Sequence, residues 1–324
     1  MNRREFITLI GGGTVTWPFA LIAQEAGRKY RLGALHVSPR SAPPHVAFFD
    51  ALRRLGFIEG QNLWVDPRGY GLSVEQLAAH ASELAKAQVD VIFCAGDLAI
   101  RAAQQATKTI PILAGADDMV GSGLVSSFAK PDGNTTGVSI LSAELNGKRQ
   151  EILMEAVPAA RRMATFADAN VTSPQQLQQL QEEARARGVE LSIFRVTNSE
   201  EIAGAIDMAK GAGAQAVNVL ASPFLNYNRQ IIMKHVATQR LPAMYQFPET
   251  AEEGGFIAYG PRLLQLYRDI LSRQLVKLFR GVKPADIPVE QPTKFELVIN
   301  LKTAKAMGVT VPEALLVRAD KVIE

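Results

Sequence analysis

From Tyr30 onward, short apolar runs of strand length alternate with longer stretches of helical period, and in the second half of the chain the same alternation begins again. In the first series "YRLGALHV", "NLWVD", "DVIFCAG" and "IPILAGA" are separated by "HVAFFDALRRLG", "SVEQLAAHASELAKA" and "LAIRAAQQAT". In the second, "RMATFADA", "ELSIFRV", "AVNVLAS" and "PAMYQF" are separated by "SPQQLQQLQEEARARG", "SEEIAGAIDMAKGAG" and "NYNRQIIMKHVATQR". A strand that returns through a helix pairs in parallel with its predecessor, and helices then cover both faces of the sheet. The recurrence at domain length predicts an α/β fold of two similar doubly wound parallel-sheet lobes, since solenoid units are far shorter. A chain of 324 residues can bury two such cores.

Between the series, "KPDGNTTGVSI" is rich in Gly, Asn and Pro and reads as the first connection between lobes. Beyond the second series, "GGFIAYGPRLLQLYRDILSRQLVKLFRG" predicts a strand and a helix with Pro261 in its first turn, where a missing N–H is harmless. "IPVEQPTKFELVINLKTAKAMG" adds extended segments and a short helix. These surplus elements place chain crossings near Tyr259 and Glu290. One lobe is then expected from residues 28–140 with about 260–287, and the other from 141–259 with about 288–324. Three crossings make a hinge, and a hinge between lobes makes a cleft that can close.

In doubly wound sheets ligands bind beyond the carboxyl ends of the strands. In the first lobe those ends present His36 and Ser38, Gly96 and Asp97, then Asp117 and Asp118. In the second they present Asn170 and Thr172, Ser222 and Phe224, then Tyr245 and Phe247, and Tyr259 sits at a crossing. Short polar groups beside aromatic ones suit a small organic ligand with a polar head and an apolar body. Each also has a structural role open to it: Asp97 and Asn226 as helix N-caps, Ser38 and Thr172 as turn formers before Pro39 and Pro174, His36 as a locally bonded side chain. One side of the strand end at Tyr245 and Phe247 must face core.

Enzyme chemistry finds little footing. "VGSGLV" lacks the frame of a nucleophile elbow, "GGGTVT" misses the dinucleotide spacing, and no phosphate-loop lysine pattern occurs. The four histidines have no paired metal-ligand spacing, so neither a metal nor another cofactor is expected. Cys94, the single cysteine, lies in an apolar run and reads as core. A net charge of +3 without a basic patch or a recognisable nucleic-acid motif argues against nucleic acid as a partner. At the N-terminus, Arg3 and Arg4 precede an apolar stretch from Phe6 to Ala23, which predicts an export signal over 1–26. "RREFI" is close to a twin-arginine signal, although Asn2 replaces the usual Ser or Thr.

"LGFIEGQNL", "PDGNTTGVS", "LNGKRQEIL", "FIAYGP" and "LFRGVKPADIPVEQPTKFELVINLKTAKAMGVTVPEALLVRAD" together resemble the ABC-transporter substrate-binding proteins that include tryptophan- and tyrosine-type binders. The resemblance spans almost the whole mature chain. It implies a periplasmic-binding-protein type I fold, a hinge that closes on a small molecule, a periplasmic monomer, and delivery to a membrane permease with its ATPase. Family members commonly carry Gly and Thr or Ser where this chain has Asp97, an arrangement suited to a ligand carboxylate. Carboxylates at a helix N-terminus repel anions. Asp97, Asp117 and Asp118 therefore predict a ligand ammonium at the first lobe, with any ligand carboxylate facing Asn170, Thr172 and Ser222. A membrane sensor in place of the permease, or a two-lobed α/β enzyme, are the alternative readings.

Overall fold

A computed structural model describes residues 27–324, so the predicted export segment 1–26 lies outside the described residues. The first sheet has the order β2-β1-β3-β4-β5, all parallel, from β1 (Tyr30–Leu35), β2 (Leu63–Val65), β3 (Val91–Ala95), β4 (Ile112–Ala116) and β5 (Thr135–Ser139). The second sheet is built from β6 (Arg162–Asp168), β7 (Glu190–Val196), β8 (Ala216–Val219), β9 (Ala243–Tyr245), β10 (Ile257–Gly260), β11 (Glu296–Asn300) and β12 (Lys321–Ile323). Its order is β12-β11-β10-β9-β8-β6-β7, and the β10–β11 pair is antiparallel. Helices on both faces explain the unbroken apolar runs: in β3, Ile92, Phe93 and Cys94 are fully buried. The helices carry single apolar faces, as in Pro174–Ala186, where Leu177, Leu180 and Ala184 are buried. That helix starts where Ser173 Oγ accepts the Gln176 amide at 3.2 Å and Pro174 opens the first turn.

Two local expectations are corrected. "KPDGNTTGVSI" is no mere linker: its Thr135–Ser139 half is β5, buried throughout and paired with β4. Asp132 and Gly133, both at positive φ, supply the turn before it. The crossing itself comes directly afterwards, where the Leu141 amide donates to the Asp117 carbonyl at 2.7 Å and Leu141 adopts a left-handed φ of 64°. Pro261 likewise precedes its helix, because Arg262 is the N-cap and helical geometry begins at Leu263.

Residues 263–279 form one helical stretch whose middle, Leu266–Leu271, is a π-helix. It returns to the first sheet, packing Tyr267, Leu271, Leu275 and Phe279 with Tyr30, Phe48 and Phe93. The Glu290 amide then donates to the Gly137 carbonyl at 2.9 Å, before β11 joins the second sheet. The chain thus passes between the sheets after β5, after β10, and between Glu290 and Glu296. Among the described residues no helix is long and apolar enough to cross a membrane.

Candidate ligand-binding cleft

Both sheets turn the carboxyl ends of their strands toward each other. His36 follows β1, Gly96 and Asp97 follow β3, and Asp117 follows β4; opposite them Ser222 follows β8, and Gln246 and Phe247 follow β9. With Tyr267 and Leu271 of the π-helix they line a cavity of about 100 Å³. Two more open chambers flank it, of about 360 Å³ and about 500 Å³, and Asp97 and Val171 line all three spaces. The lobes touch at one edge: a Cβ placed on Gly96 would lie 3.1 Å from Pro223 Cγ.

Of the residues singled out from sequence, His36, Ser38, Gly96, Asp97, Asp117, Ser222 and Phe247 line the central cavity. Asn170 and Phe224 line one flank, and Asp118 and Thr172 the other. Tyr245 and Tyr259 line none of these spaces. Strand alternation is the reason for Tyr245: its ring turns to the helix-covered core, 2.8 Å from where a Cβ on Gly255 would sit, and its neighbour Gln246 faces the cleft instead. Tyr259 contributes its backbone, since its carbonyl accepts from Arg149 Nε at 2.7 Å while the ring packs toward Phe295.

The capping roles also shift. Gly96 is the N-cap of Asp97–Ala106, making Asp97 its first residue. The first intrahelical bond runs from Ile100 to the Gly96 carbonyl, so the amides of Asp97, Leu98 and Ala99 have no intrahelical acceptor. Across the cleft Ser222, not Asn226, is the cap: its Oγ accepts the Leu225 amide at 2.9 Å. Asp118 folds its own loop by accepting the Gly121 amide at 2.8 Å.

Arg149, in the Ser142–Ala156 helix, is a buried group that the sequence reading missed. Its guanidinium donates to the carbonyls of Tyr259 and Gln246 and to Asn146 Oδ1, at 2.7, 3.3 and 3.1 Å. Burial pulls its pKa down to about 10 and the charge of Asp117 opposes that shift, so it stays cationic at neutral pH. The sequence signal was its spacing, three and four residues before the buried Ile152 and Leu153. The second lobe thus supplies a cation that acts on Asp117 of the first.

His36 and His45 lie edge to face, 4.5 Å between ring centroids, and His36 also stacks on Tyr70 at 5.3 Å. Burial, reinforced by His45, holds the His36 pKa well below the usual histidine range; burial also lowers that of His45. Both rings are therefore neutral in the folded protein at pH 7. A lowered folded pKa means that the unfolded chain binds more protons once the pH falls below about 6.5, so folded stability is lost on acidification. Folded stability should fall between pH 7 and 5 by up to about 1.4 kcal/mol per pH unit for each such ring, and the thermal midpoint with it. His36→Gln should flatten that slope, and an unchanged slope would show that His36 does not carry it.

The family model for ABC transporter substrate binding proteins matches residues 45–323. The chain belongs to this family. Among relatives, a tyrosine-binding protein of Clostridioides difficile is 27% identical over 267 residues, covering 80% of this chain and 75% of that protein. Among solved structures, an ABC domain from Streptococcus pneumoniae in complex with L-Trp has a TM-score of 0.78 at 22% identity, over 91% of this chain and all of that one. A conserved domain protein from Vibrio cholerae reaches 0.81 at 21% identity, over the same shares. These likenesses give the substrate-binding protein a type I periplasmic-binding fold, in keeping with its two parallel-sheet lobes.

Proposed function

We propose that this substrate-binding protein captures an amino-acid-like solute, with an aromatic or branched side chain, between its lobes outside the cytoplasmic membrane and delivers it to an ABC permease driven by its ATPase. The observation that carries this reading is the central cavity, lined by His36, Gly96, Asp97 and Asp117 of one lobe and by Ser222, Gln246 and Phe247 of the other. A solute touching both walls makes all its contacts only when the lobes are together, so it draws the population toward closure. The lobe division in this reading is 28–140 with about 260–287 against 141–259 with about 288–324.

The wall chemistry suits a zwitterion. Asp97 and Asp117 offer carboxylates to an ammonium, while Gln246 on the opposite wall offers a side-chain amide to a carboxylate. The tyrosine named for the Clostridioides relative and the L-Trp in the pneumococcal complex support an amino acid with a ring. The Arg3–Arg4 leader with its apolar run supports export into the periplasm.

A thermal-shift panel of amino acids, amines and small acids tests the reading. At a hundredfold excess over Kd, a true ligand adds about 2.7 kcal/mol to the folded state. For a protein of this size that raises the midpoint by about 5 °C. A panel in which no amino acid moves the midpoint would overturn it.

A further inference from the structure

Gly115 lies in the interior of β4 and is the one residue of that strand that is not buried. Its φ is ordinary, and a Cβ built on it would meet nothing within 4 Å. Neither backbone geometry nor crowding therefore calls for glycine, which weakens a strand and often marks close approach of a ligand. In register beside it stand Ala95 of β3 and Val138 of β5, and all three line the central cavity. They make a low floor at the carboxyl edge of the first sheet. His45 and Tyr267 rise above it as aromatic walls. His36, at the same edge, lines the cavity and has a buried Nε2 with no hydrogen-bond partner.

Asp117 follows Gly115 by two residues, one past the end of β4, and lines the same cavity; two residues of extended chain span about 7 Å. A benzyl or indolylmethyl group spans that interval. Among the described residues, the one Lys or Arg lining the cavity is Arg229, already held by both carboxylate oxygens of Glu253, at 2.7 and 2.9 Å. The floor itself is uncharged.

We propose that Gly115 is the specificity-determining position of the site: its missing side chain opens a chamber in the first lobe that takes the uncharged aromatic ring of an amino acid, with the ammonium at Asp117. The inference rests on the solute-binding reading above and adds where the ring goes.

Calorimetric titration of L-phenylalanine, L-tyrosine and L-tryptophan into the full chain and into Gly115→Ala and Gly115→Val tests it. The native protein should bind at least one of the three. Gly115→Val should weaken that binding by about a hundredfold and Gly115→Ala by less, as added methyl groups overfill the chamber. The ligand-free melting temperature of both variants should equal or exceed the native value, because replacing glycine at an ordinary φ restricts the unfolded chain and the β-branched valine also favours a strand. A merely structural glycine would instead lower melting and leave affinity alone. If Gly115→Val does not fold, Gly115→Ala decides by itself. Native affinity in the variants would overturn the chamber while leaving solute binding intact. Binding of aliphatic amino acids only would overturn the ring assignment, and binding of no amino acid would remove the solute reading and this inference together.

Discussion

Arg149→Ala should lower the melting temperature of the ligand-free protein by about 10 °C, from a loss of about 3–5 kcal/mol. The side chain is fully buried, and its removal leaves two backbone carbonyls and Asn146 Oδ1 without their donor. Each orphaned buried acceptor costs about 1–3 kcal/mol, and the void left by a side chain of this size adds to it. The two carbonyls belong to Gln246 and Tyr259, at the ends of β9 and β10. A Cβ on Gly260 would come 2.0 Å from the Gln246 carbonyl oxygen and 3.2 Å from the guanidinium, so glycine there lets the two strand ends approach each other and Arg149. Arg149→Lys keeps the charge but lacks the planar fork that reaches separate acceptors, so it should recover only part of the loss. Differential scanning calorimetry measures both; a midpoint within 2 °C of native for Arg149→Ala, about one kcal/mol or less, would show that the network is not structural.

Gly96→Val should weaken binding of the cognate solute by about ten- to a hundredfold. At φ 87° and ψ 147° Gly96 sits in a region that side-chain-bearing residues avoid at a cost of about 1–3 kcal/mol. Beyond that strain, which open and closed forms share, the new branches would press on Pro223 of the other lobe, 3.1 Å from the Cβ position. In the proposed closing motion, only the closed form suffers that contact. A double-mutant cycle separates the two effects: Pro223→Ala in the Gly96→Val background should restore affinity but not stability. No recovery of affinity would mean that the edge does not gate closure.

The strand-helix alternation made the two sheets legible because parallel strands buried on both faces must be apolar along their length, as in "VIFCA". β5 hid behind its composition: Thr135, Thr136 and Gly137 read as a linker, and only the β4 pairing that buries them reveals a strand. At the cleft, chain order alone places His36, Asp97 and Ser222 just beyond strand ends, and there they line the cavity between the sheets. Side-chain direction was not available in the same way. Tyr245 and Gln246 exchanged places because a three-residue strand gives no run long enough to fix its phase. Arg149 was passed over because a charge on a helix is ordinarily solvated, and its burial depends on carbonyls far along the chain. Gly115 carries no sequence signal, because its meaning lies in space that no neighbour fills.

Small-angle scattering with and without a saturating aromatic amino acid tests most directly whether two lobes close on one solute. Ligand should reduce the radius of gyration and bring the profile onto that of the arrangement described above, in which the lobes meet at Gly96 and Pro223. Profiles that superimpose at saturation, with binding confirmed by calorimetry in the same sample, would contradict it.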